Sequence, residues 1–138
     1  MGRSSEYTTE IADAICERLA DGESLRSICL DPEMPSQPTV FRWLAANEEF
    51  RKQYAIAREA QADSLFDEML DIADDASRDT RKGKDGDEQP NTEWITRSRL
   101  RVETRKWMAG KLRPKVYGDK LDVEHSGGVT VQINRLAD

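Results

Sequence analysis

The sequence predicts a mainly α-helical chain: an N-terminal helix-turn-helix domain, a central long helical hairpin and a short C-terminal β-hairpin. Three observations lead there. Apolar residues recur at helical spacing through most of the chain, and the runs break where Gly22, Pro32, Pro35, Pro90 and Pro114 fall. The stretch 49–76 contains neither Pro nor Gly. After Gly118 the apolar period changes to two. The expected modules are residues 1–53, 54–117 and 118–138.

In the first module, Thr8 or Thr9 caps a helix whose Ile11, Ala12, Ile15, Cys16 and Leu19 share a face, and Gly22 stops it. Ser24 caps a second, short helix carrying Leu25, Ile28 and Cys29. The run Asp31-Pro32-Glu33-Met34-Pro35 forces a turn, because Pro lacks an amide donor and disfavours helical geometry in the residue before it. Ser36 then caps a third helix with Pro38 in its first turn and Val40, Trp43, Leu44 and Asn47 on one face. Three short helices with a tight connection between the last two describe a helix-turn-helix, whose last helix enters a DNA major groove. With that face inward, Gln37, Thr39 and Arg42 point out as base-contact candidates, and Arg3, Arg26, Arg51 and Lys52 are the cations available to phosphates. The same pattern equally describes a plain three-helix core.

In the second module, Phe50, Tyr54, Ala57, Leu65, Met69, Ile72 and Ala76 mark one long amphipathic helix, and Asp63, Asp67, Asp71 and Asp74 form an acidic stripe along it. Residues 78–91 (RDTRKGKDGDEQPN) contain no apolar side chain, so 78–92 reads as a mobile loop. A second helix starts at about Thr92, a cap candidate, and carries Trp94, Ile95, Leu100, Val102, Trp107, Met108 and Leu112 until Pro114 ends it. Arg97, Arg101 and Arg105 make its cationic stripe. The two stripes meet in an antiparallel hairpin or between subunits, or they are simply solvated, or the arginines face nucleic acid. Like charges four residues apart on a helix repel by a few tenths of a kcal/mol, which favours an opposing partner. Asp63, Asp67, Asp71, Arg97, Arg101, Arg105 and Trp107 are therefore candidates for an oligomer interface, with Val123 and Val131 from the third module.

In that module Leu121, Val123 and His125 alternate with polar residues, as do Val129, Val131 and Ile133. A three-residue Ser126-Gly127-Gly128 loop pairs His125 with Val129, Val123 with Val131 and Leu121 with Ile133 on one face. A lone two-stranded hairpin is marginal in water. Hairpins from neighbouring copies could close into an intersubunit β-barrel without edges.

Composition narrows the function classes. The chain has 138 residues, about one domain, and 35% of them are charged, against about 25% in ordinary globular chains. Small apolar patches completed by partner subunits fit this better than one dense core. No apolar run approaches the roughly 18 residues of a membrane span, and no signal-peptide segment opens the chain, which predicts a soluble intracellular protein. Two cysteines without CxxC spacing, Cys16 and Cys29, and a single histidine, His125, argue against zinc. There is no GxxxxGK[ST] phosphate loop and no HExxH, and the carboxylates lie in helical stripes. The expectation is a binding and assembly protein with no catalytic residue, metal or cofactor.

The net charge of −6 is a mean over blocks. Residues 1–53 carry −4, 54–77 carry −6, 78–92 balance, 93–117 carry +6 and 118–138 carry −2. An acidic helix nearly cancels a basic one, and DNA binding, if present, must come from several modestly charged modules acting together.

Residues 34–76 and 99–124 resemble the small terminase subunits of tailed double-stranded-DNA bacteriophages and prophages. The resemblance rests on Thr39-Val40-Phe41-Arg42-Trp43-Leu44, on Ala57-Arg58-Glu59-Ala60 with Ala62-Asp63, and on Arg105-Lys106-Trp107 followed by Pro114-Lys115-Val116-Tyr117-Gly118-Asp119-Lys120. It implies a non-enzymatic packaging-initiation factor in the host cell cytoplasm. Such a factor forms a homo-oligomeric ring of eight or more subunits, binds a packaging site on viral double-stranded DNA, and delivers it to the large terminase subunit, an ATPase and nuclease. It further implies peripheral helix-turn-helix domains, oligomerising central helices and a β segment near the channel. Thr39 and Arg42 take candidate DNA-contact roles from it, and Val40, Trp43 and Leu44 take core roles. The alternative from the residues alone is a helix-turn-helix transcription regulator or recombination accessory protein acting as a dimer.

Overall fold

The computed structural model describes residues 6–119. The elements are α1 (Thr9–Ala20), α2 (Leu25–Leu30), α3 (Gln37–Ala46), α4 (Glu48–Asp74), β1 (Thr80–Lys82), β2 (Glu88–Pro90), α5 (Thr92–Leu112) and α6 (Pro114–Tyr117). The chain is mainly α-helical, as its apolar periodicity requires. Arg3, Leu121, Val123, His125, Val129, Val131 and Ile133 lie outside the described residues, and so does the expected C-terminal hairpin.

Helices α1 and α3 pack on the first half of α4, and α2 packs on α1 and α3. Thr8 accepts the Ile11 amide at 3.2 Å and Ser24 the Ser27 amide at 3.0 Å, each satisfying an orphan donor of a first turn. Ala12, Ile15, Cys16 and Leu19 of α1 meet Leu25, Ile28 and Cys29 of α2, Val40 and Trp43 of α3, and Phe50 and Ala57 of α4 in one core. Tyr7 closes it edge-on to Trp43, with ring centroids 5.3 Å apart. Both cysteines are buried and neither forms a disulfide. Burial pushes the Cys16 thiol up to about 11, so it packs as a neutral group near pH 7.

Helix α4 is the beam of the molecule. It starts on an Asn47 cap, which accepts the Phe50 amide at 3.0 Å, and runs unbroken through residues 53 and 54. The expected junction of the first two modules therefore lies within one helix. Polar residues of α4 hold the turn between α1 and α2: Gln61, 1% exposed, donates to the Glu23 carbonyl at 2.8 Å, and Ser64 donates to the Ala20 carbonyl at 2.5 Å. Gly22 sits in that turn at φ +108°, a conformation that favours glycine. Arg18 braces the same turn, bonding both Glu23 oxygens at 2.8 and 2.7 Å and Asp31 at 2.9 Å.

The second half of α4 pairs antiparallel with α5. Asp63 meets Arg113 at 2.8 Å and Glu68 meets Arg105 at 2.8 Å, so residue numbers fall along one helix as they rise along the other. Asn91, one residue before the expected cap Thr92, caps α5 by accepting the Trp94 amide at 3.3 Å. Pro114 ends α5 and also opens α6, a single turn that folds back until Tyr117 stacks on Phe66 at 4.8 Å and donates to Asp63 at 2.8 Å.

Residues 78–92 form a β-hairpin instead of the irregular loop read from their polarity. Thr80 pairs with Pro90, Arg81 with Gln89 and Lys82 with Glu88. Gly86, at φ +87°, makes the reversal, and the Gly83 amide reaches the Asp87 carbonyl at 2.7 Å. Packing of α4 on α5 already brings the ends of this segment together, so the closure entropy is met elsewhere and backbone pairing needs no apolar side chain. Every strand residue is exposed.

Candidate nucleic-acid interface

Helix α3 is the element a helix-turn-helix would present to a groove. Its Thr39, Val40 and Trp43 turn inward, while Pro38, Phe41, Arg42 and Ala45 are exposed and Gln37 is half-buried. Thr39 is thus a correction to the outward trio. It is only 7% exposed, because the inward arc of α3 is one residue wider than the Val40, Trp43 and Leu44 stripe suggests. Its hydroxyl lies 3.1 Å from Ser36 Oγ and accepts from Arg42 Nη2 at 3.3 Å. Thr39 therefore orients Arg42 and does not face solvent itself.

The cations around α3 differ in how free they are. Arg51 donates from Nη1 to the Leu44 and Ala45 carbonyls at 2.8 and 3.1 Å, covering oxygens that the end of α3 leaves unpaired. Its first role is a helix cap. Lys52 lies 3.8 Å from Glu48, with both side chains mostly exposed, a pairing worth little in water. Arg26 is exposed on α2. Phe41, 53% exposed beside Arg42, was not among the sequence candidates. The signal was available, since position 41 falls outside the Val40, Trp43 and Leu44 stripe.

Comparison with known proteins bears on this arrangement. The family described as "Bacteriophage Sf6, terminase small subunit-like" matches residues 7–124. The chain belongs to this family. Two crystal structures of single-substitution variants of terminase small subunit gp1 of the bacterial virus Sf6 are 42% identical to it. Each comparison covers 98% of this chain and 96% of gp1, with TM-scores of 0.70 and 0.71. The uncharacterized protein YffO of Escherichia coli (strain K12) is 32% identical over 90 residues, which span 60% of this chain and 65% of the length of YffO.

The hairpin of this terminase small subunit-like chain presents a second surface. Its charge pairs are not stripe against stripe. Arg105 takes Glu68, and Asp63 takes Arg113 and Tyr117, so both stripe residues are engaged within their own chain. The Tyr117 hydroxyl and Arg113 hold the Asp63 carboxyl below its ordinary range. Asp67, Asp71, Asp74, Arg97 and Arg101 form no ion pair among the described residues. Large apolar side chains stand open on the same two helices, with Ile56 68%, Leu70 57%, Leu100 60% and Trp107 65% exposed. Among the described residues no cluster of three or more His, Cys, Asp or Glu side chains could hold a metal, and no helix is long and apolar enough to cross a membrane.

Proposed function

We propose that the chain is a phage small terminase subunit: a homo-oligomeric ring of eight or more copies that recognises viral packaging-site DNA. It recruits and regulates the large terminase ATPase/nuclease to initiate genome packaging, without catalysis of its own, in the host cell cytoplasm. The observation that carries this reading is 42% identity to the Sf6 terminase small subunit across 98% of the chain.

Each end of the molecule takes one part of the task. Helix α3 enters the major groove with Arg42 at a base edge, held by Thr39, and Gln37 near the helix start, while Arg26, Arg51 and Lys52 approach phosphates. Three phosphate contacts per copy bind weakly at physiological salt. Assembly supplies the rest, because modules fixed on one ring act at high effective concentration and gain about 10²–10⁴-fold. The copies associate through the α4–α5 hairpin, where Asp67, Asp71, Arg97 and Arg101 retain charge to set register and Trp107 buries apolar area.

Native mass spectrometry of the full chain tests this reading. A closed species of eight or more copies is expected. A dimer as the largest species would overturn it and favour a regulator bound to a palindromic site.

A further inference from the structure

The exposed face of α3 is mostly apolar. Pro38, Phe41, Arg42 and Ala45 lie three and four residues apart, on one side of the helix, and all are exposed. Only Arg42 on that face carries a hydrogen-bonding side chain. Gln37 is half-buried at the helix start, and the Thr39 hydroxyl is spent inside on Ser36 and Arg42. At 53% exposure the Phe41 ring is open to an apolar partner on that face. In a major groove the group that an apolar side chain reads is the 5-methyl of thymine, whereas arginine reads guanine O6 and N7.

Resting on the reading of α3 as the helix that enters the groove, we propose that Phe41 reads thymine methyl groups and is the specificity-determining residue beside Arg42. The expected target carries thymines next to a guanine. Its specificity depends on apolar contact more than on hydrogen bonds.

The test uses the full chain and double-stranded 30-base-pair DNA selected on it from a random pool, at fixed salt. Each thymine is then replaced in turn by deoxyuridine, which removes only the methyl group. At one or two positions binding should weaken about fourfold, the worth of one buried methyl group. Phe41→Ala should bind the thymine and deoxyuridine duplexes equally, and Phe41→Leu should retain the difference. Position 41 is exposed, so neither substitution opens the core.

If the wild-type chain selects a sequence but every deoxyuridine duplex binds as well as its parent, Phe41 does not read methyl groups, and the role of α3 stands. An equal deoxyuridine penalty in wild type and Phe41→Ala overturns the inference in the same way. If the chain selects nothing and shows no salt-sensitive binding, the helix-turn-helix reading and this inference fall together.

Discussion

Gln61→Leu removes a polar side chain from the junction between α4 and the α1–α2 turn while nearly preserving its volume. Gln61 is 1% exposed; it donates to the Glu23 carbonyl at 2.8 Å and accepts from Arg58 at 2.8 Å, and Arg58 also donates to the Tyr54 hydroxyl at 2.9 Å. The leucine leaves the Glu23 carbonyl without that donor, whereas Arg58 keeps Tyr54 and access to water. One unsatisfied buried group costs about 1–3 kcal/mol, and the apolar replacement offsets part of this. A net loss of about 1–2 kcal/mol follows, which lowers Tm by roughly 3–10 °C in a chain of this size. Ser64→Ala, which removes the bond to the Ala20 carbonyl, should cost about 1 kcal/mol. Thermal melts at one fixed protein concentration measure both, since association shifts Tm. Hydrogen exchange of the α1 amides shows whether the loss sits in the N-terminal bundle. A Gln61→Leu protein melting within about 1 °C of wild type, on the same scale, would refute the role given to this side chain.

Two further outcomes are expected. Arg18 holds the Glu23 carboxyl below its ordinary value, and the Glu33 amide followed by Arg18 does the same for Asp31. Depressed carboxylates stabilise the fold above their unfolded pKa values, and that contribution is lost as the pH falls through the folded ones. Arg18→Ala should thus narrow the stability gap between neutral and acid pH, and urea melts across the carboxylate range check it. Tyr117→Ala removes both the stack on Phe66 and the bond to Asp63. Trypsin should then cut after Lys115 faster than in wild type while cleavage within α1 stays unchanged, and equal rates at Lys115 would show that α6 is held by something else.

The helices were legible because local chemistry decides them. Thr8 and Ser24 cap where their side chains allow it, and the Pro and Gly breaks fall between elements. What escaped depends on neighbours in space. Thr39 is polar and short, so periodicity alone puts it on either side of the helix edge; Ser36 and Arg42 satisfy its hydroxyl inside. Arg105 could reach any carboxylate on α4, and hairpin register selected Glu68 over the aspartate stripe. The 80–90 hairpin has no hydrophobic signal because α4 and α5 fix its ends, and its own side chains contribute little. Arg51 resembles any other exposed cation near α3 until its bonds to Leu44 and Ala45 are seen.

The slope of log K against log salt for duplex DNA and the full chain tests ring-mediated recognition most directly. The N-terminal bundle of one copy, one head, offers Arg26, Arg51 and Lys52 to phosphates among the described residues, which sets a slope of about −2.7 for a single bound module. Two or more heads engaged by one duplex predict a slope of about −5 or steeper. Binding that does not respond to salt, or a slope no steeper than that of one head, would contradict the account.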